Sequence, residues 1–187
     1  VLSPFDTLGV RPPRKRAAGF TVIELMTVVA ILAVLLALAA PSFTPMFERW
    51  RIRQSAEALQ ASLHYARSEA IKRGGRVAIG KNADTAACTS ASGQWNCGWT
   101  VFVDTNENGA IDAGEELLRH IPAPAQTHIT THPAQDFVAF NHWGLLGHSM
   151  EFALVPLRSS ATSAKAALKV CFGIGGLVQR VDSLSSC

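Results

Sequence analysis

The feature that most constrains this chain is one long apolar run, FTVIELMTVVAILAVLLALAA from Phe20 to Ala40, in which Glu24 is the single ionisable group. About 21 residues rising 1.5 Å each as an α-helix match a hydrocarbon core of roughly 30 Å. A secretory signal peptide has a shorter apolar region followed by a small-residue cleavage site. Here the run leads into a second helical pattern, so a retained membrane anchor is the better reading. Arg11, Arg14, Lys15 and Arg16 precede it and favour a cytoplasmic N-terminus, although Arg49, Arg51 and Arg53 on the other flank weaken that rule. Insertion scales put a charge at the centre of a membrane helix at about 2.5 to 3.5 kcal/mol, so a carboxylate needs water or a partner. Glu24, one turn into the run, is either an interfacial carboxylate favouring a helix N-terminus or a charge that awaits a counter-ion.

The formal charge of +3 lies entirely in residues 1–19, where those four basic residues oppose Asp6. Beyond them, residues 41–81 carry eight Lys/Arg against three Asp/Glu, and residues 82–187 carry five against nine. A basic stem and an acidic head differ from the continuous basic surface of a general nucleic-acid binder. Pro41 removes one helical hydrogen bond and predicts a bend, after which the helix resumes. Ile52, Ala56, Leu59, Leu63, Ala66 and Ala70 recur at alternating spacings of four and three, while Arg53, Glu57, Arg67 and Lys72 occupy other faces. Gly74 and Gly75 end the pattern.

Short β-leaning runs follow at Arg76–Ile79, Trp99–Val103, Leu117–Ile121, His128–Thr131, Phe137–Asn141, Met150–Leu154 and Leu168–Phe172. They predict an α+β architecture, one amphipathic helix against an antiparallel sheet, with Ser159–Ala167 as an exposed loop. The organisation expected is therefore a leader over 1–19, a membrane helix over 20–40, a stem helix over 41–75 and a β-rich head over 76–187. Cys88, Cys97, Cys171 and Cys187 are an even set without metal-site spacing, which points to disulfides in an oxidising compartment. Sequence order pairs Cys88 with Cys97 and Cys171 with Cys187, while four cysteines permit three connectivities.

Asp104, Asn106, Asn108, Gly109, Asp112 and Glu115 fit the spacing of a calcium-binding loop. The same residues also build a tight hairpin turn, and the strand-like run before them favours the turn. Calcium is the one cofactor to consider. His128 and His132 are four apart, but on a strand that spacing separates them by roughly 13 Å and spoils a chelate. Gly173, Gly175 and Gly176 lack the following helix of a dinucleotide site, so a turn is expected. No nucleophile elbow, phosphate-binding loop or zinc-protease helix appears, and no enzymatic activity is expected. Trp95, Trp99 and Trp143 read as packing residues.

The segment RKRAAGFTVIELMTVVAILAVLLALAAPSF closely resembles the class III signal of type IV pilins and type II secretion pseudopilins. That resemblance implies cleavage by a prepilin peptidase after Gly19 and N-methylation of Phe20. It also implies that the Glu24 carboxylate meets the terminal amine of a neighbouring subunit. The stretch SGQWNCGWTVFVDTNENGAIDAGEELLRH resembles the GspH/FimT family of minor pilins and pseudopilins, in its Gly98-Trp99 strand and the Asn/Gly turn that follows. What this implies is a type IV pilin-like fold in the inner membrane with a periplasmic head, other pilins or pseudopilins as partners, and a place in a pilus or in a type II secretion machine. Some members bind DNA through a C-terminal Gly-Arg-x-Arg motif. Here Arg180 remains while Leu177 stands in place of the first arginine, leaving Arg180, Lys169 and Lys165 as the cations to examine.

Overall fold

The computed structural model describes residues 19–39, 44–157, 166–182, 184, 185 and 187. Pro41 and Lys165 lie outside the described residues, as do the leader before Gly19 and most of the expected loop at 159–167. The chain divides into two units, Val1–Pro41 and Ser42–Cys187. The described part of the first is helix α1, Val22–Ala39. Its side chains from Val22 to Ala37 are exposed on every side, and apolar residues occupy all its faces instead of one stripe. Among the described residues no helix is long and apolar enough to cross a membrane.

In the second unit, helix α2 runs over Thr44–Arg73, ending where Gly74 and Gly75 take positive φ and Gly75 N–H returns to the Ala70 carbonyl at 2.7 Å. All six stripe residues, Ile52, Ala56, Leu59, Leu63, Ala66 and Ala70, are fully buried. Three of them are alanines, which lets sheet backbone approach closely. Among the described residues eight strands follow: β1 Val77–Lys81, β2 Trp99–Val103, β3 Leu117–Ile121, β4 Thr127–His132, β5 Phe137–Phe140, β6 Met150–Pro156, β7 Leu168–Phe172 and β8 Val178–Asp182.

They form two antiparallel four-stranded sheets, ordered β3-β2-β1-β5 and β4-β6-β7-β8, where the sequence pattern predicts a single sheet. The chain enters the second sheet at β4, returns to the first at β5, and leaves again at β6, so the two sheets are interleaved in sequence. Helix α2 packs on strands of both. One core therefore gathers Leu59 and Leu63 with Ile79, Trp99 and Val101 from one sheet and Ile129, Phe152, Leu154 and Val170 from the other. Burying each such side chain contributes about 1.5 to 3 kcal/mol. The two buried tryptophans keep their polar atoms satisfied: Trp99 Nε1 donates to Ser62 Oγ at 2.9 Å, and Trp95 Nε1 to the Gln135 carbonyl at 2.8 Å.

The disulfides are Cys88–Cys97 and Cys171–Cys187. The first closes the base of a segment that covers the outer edge of β4, where Thr131 N–H donates to the Gly93 carbonyl at 2.8 Å and Trp95 N–H to the Ile129 carbonyl at 2.9 Å. A bare edge would invite pairing with another chain. The second ties the C-terminal Cys187 back to β7.

Candidate functional site

The residues with the strongest chemical signature lie at the start of α1. Thr21 caps the helix: its Oγ1 accepts the Glu24 N–H at 3.3 Å, and its carbonyl accepts the Leu25 N–H at 3.2 Å. Glu24 is thus the third helical residue, where the helix dipole favours a negative charge. Among the described residues its carboxylate has no hydrogen-bonding or ion-pairing partner. The preceding Gly19-Phe20 peptide is not helical, and Phe20 is 85% exposed. A Cβ added at Gly19 would meet nothing within 4 Å. Among the described residues, therefore, no neighbour demands glycine there. The capping role of Thr21 is absent from the sequence reading, although Thr-x-x-Glu ahead of an apolar run is a helix-start signature.

In the head, the loop between β2 and β3 holds every residue of the calcium pattern, but its oxygens face inward to the chain. Asp104 is buried and accepts N–H groups from Asn108 at 3.1 Å and Gly109 at 2.8 Å. Asp112 accepts both Asn106 Nδ2 and Asn108 Nδ2, at 2.8 and 2.7 Å, which hold its carboxyl below the ordinary range. Glu115 accepts from Thr105 N–H at 2.8 Å and Asp112 N–H at 3.0 Å. Gly109 has φ of 75°, and a Cβ there would run into the Phe137 ring. Among the described residues no three His, Cys, Asp or Glu side chains converge as a metal site. The loop is thus a tight turn closed by its own hydrogen bonds, from backbone N–H groups to Asp104 and Glu115 and from the Asn106 and Asn108 side-chain amides to Asp112. His128 and His132 stand on β4, and Gly173 and Gly176 form the β7–β8 turn through a 2.9 Å hydrogen bond.

The DNA candidates are separated. Val170 on β7 pairs in register with Arg180 on β8, and Lys169 with Val181. Cross-strand partners share a face and successive residues alternate, so Arg180 and Lys169 point to opposite faces of the sheet. Each has a carboxylate beside it: Arg180 reaches Glu57 at 3.3 Å and Lys169 reaches Glu151 at 3.0 Å. The described residues bring no joint phosphate-binding cluster together.

Two features at the end of α2 are not legible in the sequence. Arg67 Nη1 donates to the Gly176 carbonyl at 2.6 Å, pinning the β7–β8 turn to the helix. Arg73 bridges Glu69, at 3.0 Å, and Glu116, in a forked pair at 2.6 and 3.1 Å. Hydrogen bonds from Lys72 and Arg73 lower the Glu69 pKa, the Arg73 hydrogen bond lowers that of Glu116, and the hydrogen bond to Glu69 raises that of Lys72.

Residues 55–176 match the family model of the type II transport protein GspH, and residues 14–40 match the prokaryotic N-terminal methylation motif. The pilin-like protein PilA1 of Thermus thermophilus is 38% identical over 99 residues, covering 53% of this chain and 56% of that relative. The match thus spans little more than half of the relative's length. The type IV minor pilin FimU of Pseudomonas aeruginosa superposes in two crystal forms at TM-scores of 0.58 and 0.55 with 21% identity, over 76% and 72% of this chain and 96% of FimU in each. That likeness establishes the fold: N-terminal helix and antiparallel β head. The GspH model covers well over half of the chain and the methylation motif covers the start of α1, so the chain belongs to the GspH/FimT family of type IV pilin-like proteins and carries a class III signal.

Proposed function

We propose that this chain is a minor subunit of a type IV pilus-type filament that helps to prime or cap assembly. In this reading a prepilin peptidase cuts after Gly19, Phe20 becomes the N-methylated terminus, and residues 20–40 anchor the subunit in the inner membrane with the head on the periplasmic side. The observation that carries it is the Glu24 carboxylate, without a partner among the described residues, at the capped start of an otherwise apolar helix within a matched methylation motif. A lone charge in an apolar setting is costly, and the terminal amine of an adjoining subunit offsets it at one axial register only.

Mass spectrometry of the chain co-expressed with a prepilin peptidase tests the first step. The expected product begins at methylated Phe20, and intact precursor beside an active peptidase would overturn the reading. Incorporation into filaments is expected to be lost on Glu24→Ala with processing retained. A second reading, the H-type pseudopilin of type II secretion, draws support from the GspH match itself. Deletion separates the two: lost twitching or transformation marks a pilus, whereas lost exoprotein release marks the secretion machine.

A further inference from the structure

The first turns of α2 carry an apolar face that the head does not use. Ile52, Ser55, Ala56 and Leu59 turn toward the sheets and are buried, so the 3.6-residue period puts Met46, Phe47 and Trp50 on the opposite side. These three are 69%, 56% and 60% exposed. Arg49, Arg51 and Arg53 stand around them, all exposed, and among the described residues none is paired with a carboxylate. Glu48, half-buried, is the only acid in this stretch.

Aromatic and thioether side chains ringed by guanidinium groups suit the headgroup layer of a bilayer: the rings settle at the apolar boundary, and arginines make forked hydrogen bonds to phosphate. A water-exposed helix docking site would more often mix charges of both signs around its apolar stripe. Sequence distance favours the same occupant. Met46 lies six residues beyond Ala40, the end of the apolar run, which is at most about 22 Å of extended chain. We propose that residues 44–53 form an interfacial anchor for anionic phospholipid headgroups, holding the stem at the bilayer before the subunit enters a filament. The proposal rests on membrane insertion of residues 20–40. It also accounts for three arginines on the flank where the charge rule disfavours them.

The test uses the full chain reconstituted into phosphatidylcholine vesicles, with and without phosphatidylglycerol, in a Trp143→Phe background. Trp95 and Trp99 are fully buried, which leaves Trp50 as the accessible indole. With brominated acyl chains, Trp50 emission is expected to shift to the blue and be quenched in the anionic vesicles. The R49Q/R51Q/R53Q variant is expected to lose both effects. Flotation with the vesicles reports insertion of the apolar run separately. Chain that does not float overturns the anchor reading and this proposal with it. Chain that floats with Trp50 unquenched, or quenched alike in neutral and anionic vesicles, overturns this proposal alone. Protection of Trp50 only after other pilin subunits are added would assign the face to a partner helix, and likewise overturns it.

Discussion

Helices α1 and α2 solve opposite problems with the same backbone. Helix α1 is apolar on all sides and exposes its side chains all round, whereas α2 confines its stripe of Ile52, Ala56, Leu59, Leu63, Ala66 and Ala70 to one face and buries every one of them. A striped helix needs one complementary surface, and the two sheets supply it. A helix without a polar face needs an environment apolar in every direction. The stability of the head is thereby assigned to α2, and in the proposed function assembly falls to α1. The largest expected effect follows directly. Leu63→Ala should destabilise the head by about 2 to 5 kcal/mol, whereas Leu32→Ala, in α1, should leave the head's denaturant midpoint where it was. Similar losses from both substitutions would break the division.

The disulfides sharpen it further, since both lie in the head. They span nine and sixteen residues, and loop-closure entropy gives each roughly 2.5 to 3 kcal/mol. Reduction should lower the head's melting temperature while α1 helicity, followed by circular dichroism in detergent, stays constant. Cys88→Ser with Cys97→Ser should additionally expose the edge of β4, read as faster amide exchange at Thr131, whose N–H donates to the segment that this bridge closes. Unchanged exchange would mean that the covering segment holds without its clasp.

Legibility follows locality. The expected bounds of β2, β3 and β7 coincide with those observed, because each is a compact run of β-branched or bulky residues between turn residues. Strand β8 is not among the expected elements: Val178–Asp182 lies at an edge with only Val178 and Val181 half-buried, so it has almost no apolar alternation to read. The split into two sheets is equally invisible, since it depends on β1 pairing with β5 across more than fifty residues. At the candidate site, the methylation motif over residues 14–40 is legible because order along the chain is itself the signal. In the β2–β3 loop spacing names the oxygens but not their partners, which are backbone N–H groups for Asp104 and Glu115 and the Asn106 and Asn108 amides for Asp112. Register likewise sets Arg180 and Lys169 on opposite faces, which the sequence alone does not display.

The smallest expected effect concerns the charged end of α2, where the head depends on pH in a way the apolar stripe does not. Lys72 and Arg73 hydrogen-bond Glu69, and Arg73 hydrogen-bonds Glu116, holding both carboxyls below their ordinary range. A depressed carboxyl stabilises the fold while it is ionised, and that contribution disappears as pH falls from the unfolded value, about 4.3 for glutamate, through the lower folded one. The raised Lys72 and Arg73 act in the other sense: their contribution is complete at neutral pH and is lost only in strong alkali. The head's stability should therefore fall as the pH drops below the ordinary glutamate value of about 4.3, and Arg73→Gln should flatten that fall. Glu69 keeps only 11% of its side chain exposed, against 59% for Glu116. Solvent screens the second pair more, so Glu69→Gln should flatten the acid limb more than Glu116→Gln. An acid limb as steep in Arg73→Gln as in the parent chain would place the titration elsewhere in the head.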